Sequence, residues 1–179
     1  MRSGASSVSV NRAFLPFSKN VEAVRKLTAI AHGCGAAVEA RLEGNGPEDE
    51  TDASSLTSPS GALRLIRETN ADCLAISIHT PDASGLMQID FDRLFRIRQA
   101  VGAYPLTLHG ALGIPAKQLQ KACHAGIAKV NFSKDIKIAA AQAVKTDEME
   151  NVFALAKNGI KERLSELILL CGSDRKGTY

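Results

Sequence analysis

Short apolar runs alternate with longer amphipathic stretches along the chain. Continuous apolar runs are typical of strands that are buried on both faces of a parallel sheet, and apolar residues spaced three or four positions apart are typical of helices that pack against one. The apolar runs predict strands at residues 7–10, 36–40, 73–78, 105–108 and 128–132. This alternation of strands and helices predicts an α/β fold.

Capping residues predict where the intervening helices begin, and glycine or asparagine residues predict where most of them end. The first predicted helix is capped by Ser18 and ends at Gly33. Its apolar stripe, which we expect to be buried, consists of Val21, Val24, Leu27 and Ile30. Further helices are predicted to begin at Ser58, Asp90, Pro115, Asp135 and about Asp147. The whole pattern predicts five βα units followed by a terminal helix.

The composition is that of an ordinary globular protein, with 179 residues, of which 45% are hydrophobic and 23% are charged. This length favours a single domain over residues 1–179. A net charge of +3 and the lack of tryptophan do not favour a nucleic-acid-binding protein. We therefore expect no nucleic-acid partner.

The cysteines and the hydropathy of the chain bear on its compartment. The cysteines are widely spaced and form no C-x-x-C pair, so we expect reduced thiols rather than a zinc or redox motif. They are Cys34, Cys73, Cys123 and Cys171. The sequence has no apolar stretch typical of a membrane span or a secretory leader. We therefore expect a cytoplasmic protein without a membrane partner.

Two predicted strands end in polar residues that can do chemistry. His109 follows the strand at residues 105–108, and Asn131 lies near the end of the strand at residues 128–132. The carboxyl ends of parallel strands are where α/β folds gather their functional residues. A histidine in such a place is either a metal ligand or a hydrogen-bonded side chain, and its residue type alone leaves both alternatives open.

Motifs spread over nearly the whole chain occur in the order and spacing of one enzyme family. They include V-E-A-R-L at residues 38–42, L-H-G-A-L-G-I-P at residues 108–115 and K-V-N at residues 129–131. Similar segments lie at residues 7–17, 46–49, 72–78 and 171–173. Together they resemble the carboxy-terminal part of the class II, zinc-dependent ketose-bisphosphate aldolases, in the fructose- and tagatose-bisphosphate branch.

This resemblance implies a TIM-type (β/α)₈ barrel, of which the chain would form a part. The segment at residues 7–17 resembles the family's fourth strand, so we expect a partial barrel in which the three N-terminal strands are missing. Five strands cannot close a barrel, because closure links the number of strands to their tilt and stagger. We expect an open sheet edge that a second copy or a partner subunit would cover.

The resemblance also implies an aldehyde-lyase that cleaves a ketose bisphosphate reversibly into dihydroxyacetone phosphate and an aldehyde. Its members hold zinc with three histidines, and the ion stabilises negative charge on the enediolate. His109 corresponds to the third zinc histidine, whereas His79 and Asp82 fall in the segment of the second. Either these three residues share a metal in a rebuilt site, or the segment of His79 and Asp82 is a solvated loop.

The phosphate-binding positions of the family are only partly retained. By resemblance, Gly110, Gly113 and Asn131 would contact the sugar phosphate, but Leu112 replaces a serine that donates to the phosphate. Ser133 and Lys134 replace the aspartate and threonine that follow the asparagine. They precede a predicted helix, where they would either bind a phosphate or form a helix cap with a solvated lysine.

Acidic and basic positions near the implied metal also depart from the family. Glu39 fits the family motif, but Arg41 replaces a glutamate associated with the metal, and its positive charge opposes a cation. Glu48 and Asp49 correspond to an acidic loop that supplies a proton-abstracting glutamate. As a run of charges, the segment Glu48-Asp49-Glu50 is most simply a solvated loop.

Three hypotheses follow from these retained and changed positions. The first is an aldolase homologue that is catalytically degenerate as this chain alone. The second is an active zinc lyase whose site is rebuilt on His109, His79 and Asp82 or completed by a partner. The third is a non-catalytic module that binds a sugar phosphate through Gly110, Gly113, Asn131 and Lys134.

Overall fold

The structure, a computed structural model, describes residues 4–43, 56–144 and 151–174. Its strands are β1 (Ser7–Val10), β2 (Ala37–Leu42), β3 (Cys73–Ile76), β4 (His79–Pro81), β5 (Met87–Ile89), β6 (Leu106–His109) and β7 (Ile127–Asn131). Its helices are α1 (Phe17–Gly33), α2 (Pro59–Thr69), α3 (Phe91–Val101), α4 (Ala116–His124), α5 (Lys134–Val144) and α6 (Val152–Leu170). None of the helices in these ranges is long and apolar enough to span a membrane.

The main sheet is parallel and has the strand order β1-β2-β3-β6-β7. Along the chain, β1, β2, β6 and β7 are each followed directly by a helix, and β3 is followed by α3 after the short strands β4 and β5, so the predicted βα units are confirmed. The two short strands β4 and β5 pair with each other in an antiparallel hairpin instead. Among the described residues, β1 and β7 do not pair with each other, so the sheet is open rather than closed on itself.

The core lies between the sheet and the helices that follow its strands. Alternate strand residues point toward the helices, and large apolar side chains from both layers are fully buried there. They include Val24, Val38, Leu65, Leu74, Ile76, Leu94, Ile97, Leu106 and Leu108. The other face of the sheet carries polar residues, and it is the face that holds the candidate site.

Local chemistry accounts for the limits of α2. The Ser58 hydroxyl accepts a hydrogen bond from the Gly61 N–H at 3.1 Å, and Pro59 occupies the first turn. Asn70 ends the helix in a left-handed conformation with φ of 55°. The predicted start of this helix is therefore confirmed.

Two predicted caps are wrong. The first helix begins at Phe17, because the carbonyl of Pro16 already accepts hydrogen bonds from the N–H groups of Lys19 and Asn20, each at 2.9 Å. Ser18 therefore lies inside the first turn. Helix α5 begins at Lys134, so Asp135 also lies within a first turn rather than before it.

The strand predicted at residues 73–78 is shorter in the structure. Strand β3 ends at Ile76, because the Ser77 N–H donates to the Thr57 hydroxyl at 2.8 Å rather than to a neighbouring strand. The Ser77 carbonyl in turn accepts from the Thr57 N–H at 2.8 Å. These two hydrogen bonds replace strand pairing at Ser77, and the chain leaves the sheet there and continues into the hairpin of β4 and β5.

The edge of the sheet at β1 exposes apolar surface. Leu27 and Ile30 of α1 are 36% and 63% exposed, so the expectation that both are buried is wrong. They line a groove with Val8 and Val10 of the edge strand. Periodicity placed them on the correct helix face, but no described part of the chain covers that part of the face. That a second copy or a partner subunit covers it stays a prediction.

Helices α5 and α6 pack tightly against each other at Gly159. A Cβ atom added to Gly159 would lie 2.7 Å from Cβ of Ala143 and 2.9 Å from the carbonyl oxygen of Ala139. Such distances are shorter than van der Waals contact, so only glycine allows this approach. The pair as a whole packs loosely against the rest of the fold. Leu167 is the one fully buried residue of α6, and the described residues of α5 include none.

We expect Gly159→Ala to lower the free energy of unfolding by about 1–3 kcal/mol, the usual cost of overpacking. In an uncrowded helix the same change stabilises by about 0.5–1 kcal/mol. Gly33→Ala in α1 is the matched control, because nothing lies within 4 Å of its added Cβ. Urea denaturation followed by circular dichroism measures both variants, and an equal effect in the two would contradict the proposed helix contact.

Candidate functional site

The candidate site is built on the polar face of the sheet. In the strand pairing, Ser9 lies opposite Glu39, Thr107 lies opposite Lys129, and His109 lies opposite Asn131. Because side chains alternate along each strand, the polar residues of β1, β2, β6 and β7 project to the same side, away from the helices. The register therefore gathers residues that are far apart in sequence.

Glu39 is the centre of this face, and its side chain is only 3% exposed. Its carboxylate accepts hydrogen bonds from Ser9 Oγ at 3.1 Å, Thr107 Oγ1 at 2.9 Å, Lys129 Nζ at 2.8 Å and Asn131 Nδ2 at 3.2 Å. Burial alone would raise the pKa of Glu39, but the hydrogen bonds and charge of Lys129 and the hydroxyl of Thr107 outweigh burial and lower it. Glu39 is therefore ionised at neutral pH.

Arg41 and His109 form the second feature of the site. Arg41 Nη1 donates a hydrogen bond to His109 Nε2 at 3.0 Å. A guanidinium has no acceptor, so Nε2 must carry the lone pair, and the imidazole is neutral with its proton on Nδ1. Burial, followed by the charge of Arg41, lowers the pKa of His109. The other terminal nitrogen of Arg41 forms an ion pair with Glu43.

His79 lies beside His109, at the start of β4. Burial and then the nearby His109 lower the pKa of His79, and a backbone hydrogen bond at Gly110 opposes this shift. Its Nδ1 is buried and has no hydrogen-bond partner among the described residues. Both histidines therefore lie at the same end of the sheet, in the neutral state that a metal ligand requires.

Asp82 has a different role, in the turn between β4 and β5. Its Oδ1 accepts from the Ser84 N–H at 2.8 Å, the Ser84 hydroxyl at 2.6 Å and the Leu86 N–H at 3.1 Å. Its Oδ2 accepts from Gln88 Nε2 at 2.8 Å. The hydrogen bond from the Ser84 hydroxyl is the largest cause that lowers the pKa of Asp82. The carboxylate therefore fixes the hairpin turn.

These residues do not fit a zinc ion in the arrangement that the structure shows. Within residues 4–43, 56–144 and 151–174, no group of three histidine, cysteine, aspartate or glutamate side chains is placed to hold a metal. The lone pair of the neutral His109 ring, on Nε2, already accepts from a guanidinium, and the oxygens of Asp82 are engaged in the turn. A catalytic zinc needs three protein ligands in fixed geometry.

The predicted phosphate-binding residues fall into two neighbouring loops. Gly110 and Gly113 follow β6 with φ values of 78° and 82°, which favour glycine. The carbonyl of Gly113 accepts from the Met87 N–H at 3.2 Å, so the loop packs against the hairpin. Ser133 and Lys134 are exposed after β7, at the start of α5. Their role toward a phosphate stays a prediction.

The other predicted residues are constrained or outside the description. Asn131 is engaged with Glu39, as described above, so its amide is not free to turn toward a ligand without losing that bond. Glu48 and Asp49 lie outside the described residues, and their catalytic role stays a prediction.

Sequence reasoning missed several members of the polar face. Ser9, Thr107 and Lys129 were not predicted as site residues, although all three contact Glu39. The usable signal is a polar residue at every second position of a strand whose other positions are apolar, as in Leu106–His109. This pattern identifies the face, but not which partner each residue contacts.

Comparison with known proteins gives the fold and site a family context. A family model described as class-II fructose-bisphosphate aldolase matches residues 1–176. The YdjI aldolase from Escherichia coli K12 is 30% identical with a TM-score of 0.82, over 99% of this chain and 64% of its own. A protein from Coccidioides immitis described as a fructose-1,6-biphosphate aldolase is 25% identical with a TM-score of 0.79, over 95% of this chain and 64% of its own.

A more distant structure supports the fold alone. The fructose-bisphosphate aldolase from Campylobacter jejuni is 14% identical with a TM-score of 0.77, over 94% of this chain and 59% of its own. The chain therefore spans less than two thirds of the length of each of these proteins. The sheet and its helices correspond to part of their barrels, so the predicted partial barrel is confirmed.

We expect the pKa of His109 to lie below its ordinary value of 6.5 and to rise toward it in Arg41→Ala, because the variant removes a positive charge next to the imidazole. NMR titration of the histidine ring measures this pKa, and nitrogen chemical shifts of the wild type should show the proton on Nδ1. Arg25→Ala, on the exposed surface of α1, is the control and should leave the titration unchanged. A wild-type proton on Nε2 would contradict the assignment.

We expect Glu39→Gln to reduce the loss of stability at acidic pH. Because the folded-state pKa of Glu39 is lowered, its contribution is present above the ordinary value of 4.5 and disappears as the pH falls through the folded-state pKa. Urea denaturation at neutral pH and below pH 4.5 should show a smaller difference in the variant than in the wild type. Glu162→Gln, at an exposed position of α6, should keep the wild-type difference.

Proposed function

Because this chain belongs to the class II fructose-bisphosphate aldolase family, we propose that it is a non-catalytic member of that family. In this proposal the chain alone neither holds zinc nor cleaves a ketose bisphosphate into dihydroxyacetone phosphate and an aldehyde. The chain spans 64% of the length of the relatives from Escherichia coli and Coccidioides immitis. The proposal therefore concerns this chain alone and not a longer protein or a complex that contains it.

The observation that carries this proposal is the hydrogen bond from Arg41 to His109 Nε2. By resemblance, His109 is the zinc histidine that the chain retains, and its ligating lone pair is directed at a permanent cation. The guanidinium is in turn held by Glu43, so its position is fixed from both sides. A metal would have to displace Arg41 before His109 could bind it.

Displacing Arg41 would break its hydrogen bond to His109 and its ion pair with Glu43, and charge repulsion opposes a metal ion for as long as Arg41 stays in place. At an effective permittivity of 20, two unit charges about 4 Å apart interact by about 4 kcal/mol, and a divalent ion doubles this energy. The Arg41 side chain is 22% exposed, so water screens part of the repulsion but not all of it. An aldolase needs a Lewis acid where the enediolate charge develops, and this arrangement opposes one there.

The alternative of an active zinc lyase requires more than one change. Arg41 would have to leave His109, and Asp82 would have to leave its turn or a partner would have to supply the remaining ligands. The proposal of a non-catalytic member needs neither change, because it uses the contacts as they stand.

We expect the purified chain to retain much less than one equivalent of zinc after dialysis, and to show no cleavage of fructose 1,6-bisphosphate when zinc is added. Arg41→Glu should raise the affinity for Co²⁺ or Zn²⁺ at least about tenfold, because it removes a cation, adds an anion and frees His109 Nε2. Calorimetry and the visible absorption of Co²⁺ bound to nitrogen ligands measure this gain.

Arg25→Glu provides the matched control, since it makes the same charge change on the outer surface of α1. It should leave metal affinity at the wild-type value. The proposal fails if the wild type keeps stoichiometric zinc through dialysis and cleaves fructose 1,6-bisphosphate, with both properties lost in His109→Ala.

A further inference from the structure

Two cysteines that are distant in sequence meet next to β7. Cys123 lies in the last turn of α4, and Cys171 caps the carboxyl end of α6. Both line one cavity of about 410 Å³ between β7 and α6, together with Ile127, Leu164 and Leu167. The two thiols also lie close enough to interact, since Cys123 is, after burial, one of the causes that raise the pKa of Cys171. The fold therefore brings a pair of sulfur atoms close together at one cavity.

Each cysteine of this pair lies at the end of a helix. Helix α4 is anchored by the buried side chains of Leu119 and Ala122. The N–H of Cys171 donates to the carbonyl of Leu167 at 3.0 Å, and the Leu167 side chain is buried. The two thiols are therefore presented by the ends of helices rather than by a long loop.

The pair also differs from the remaining cysteines. Cys123 and Cys171 are both partly exposed, so a small oxidant in solution can reach them. Cys73 is engaged with Thr107 Oγ1 at 2.9 Å on the polar face of the sheet, and Cys34 is exposed at the end of α1. The expectation of reduced thiols applies to the resting state, and the proximity of two thiols at one cavity would allow a bond between them under oxidising conditions.

We propose that Cys123 and Cys171 form a reversible disulfide when the chain meets a small-molecule disulfide oxidant such as oxidised glutathione. One cysteine, as its thiolate, attacks the glutathione disulfide, forms a mixed disulfide and releases one glutathione thiolate. The second cysteine loses its proton and attacks the protein sulfur of that mixed disulfide, which releases the second glutathione. The two protein thiols are oxidised and one glutathione disulfide is reduced, so electrons and protons balance.

The environment of Cys171 limits the rate at which the disulfide forms. Burial, together with the neighbouring Cys123, raises the pKa of Cys171 to about 11. Little of its thiolate is present at neutral pH, and the thiolate is the attacking species. We therefore expect slow formation of the bond, over minutes to hours, rather than the rapid exchange of a catalytic dithiol.

The disulfide would attach α6 to the rest of the fold. Helix α6 buries one residue fully, and its partner α5 buries none, so this helix pair has few apolar contacts that hold it in place. A covalent link from α4 to the end of α6 closes a long loop. It restricts the conformations in which α5 and α6 have come away from the rest of the fold. Oxidation should therefore protect α6 against local opening.

The test treats the wild-type chain with oxidised glutathione and maps its disulfides by mass spectrometry without reduction. We expect a loss of two hydrogen atoms per chain and a peptide that joins Cys123 to Cys171, both reversed by dithiothreitol. Hydrogen exchange of α6 should slow on oxidation. Cys34→Ser with Cys73→Ser should retain the cross-link and the slower exchange, whereas Cys123→Ser should lose both.

Cys123→Ala serves as a second variant in case serine perturbs the apolar surroundings, and circular dichroism confirms that each variant is folded. The proposal is overturned if glutathione adducts accumulate on Cys123 and Cys171 without a bond between them. It is equally overturned if Cys34 is the main partner of either residue, or if exchange of α6 slows to the same extent in Cys123→Ser.

Discussion

A buried carboxylate on the second strand holds the polar face of the sheet together. Glu39 receives hydrogen bonds from β1, β6 and β7, so one negative charge connects both edges of the sheet to its centre. An isolated charge in such a place would cost several kcal/mol of desolvation, and the ammonium of Lys129 offsets that cost together with neutral donors. Because the loss of one donor would leave the carboxylate undercompensated, the polar residues of these strands depend on one another.

The same electrostatic constraint limits what the face can bind. Glu39 is paired with Lys129, and Glu43 is paired with Arg41, so these two negative charges of the described face are already matched within the chain. Arg41 lies on the same face as Glu39, two positions along the strand, and its guanidinium reaches His109. A fold shared with metal-dependent enzymes thus carries an internal cation beside the retained histidine. The fold depends on the apolar face of the sheet, whereas the proposed loss of zinc binding depends on the polar face, and the two can change independently.

The parts of this structure that follow from local chemistry could be predicted from the sequence. The start of α2 is one example, because the Ser58 hydroxyl bonds within its own turn. Features that depend on distant segments could not. The exposure of Ile30 depends on whether anything covers α1, and the hairpin of β4 and β5 depends on pairing between His79 and Ile89. The site divides in the same way: its strand ends were predictable, whereas the contact of Arg41 with His109 depends on the order of the strands in the sheet.

The side chains on the two faces of the sheet indicate what kind of surface would cover its edge at β1. Inside a closed barrel, opposing strands would surround the inward-facing side chains, yet here Glu39 obtains its partners from strands of this sheet. The described sheet therefore leaves no uncompensated charge at Glu39. What it leaves beside β1 is apolar surface at Leu27 and Ile30, along with backbone groups that face no neighbouring strand among the described residues. Covering this edge would gain hydrophobic burial and strand pairing without requiring a charge from outside, so a complementary apolar strand and helix face would suit it better than a charged surface.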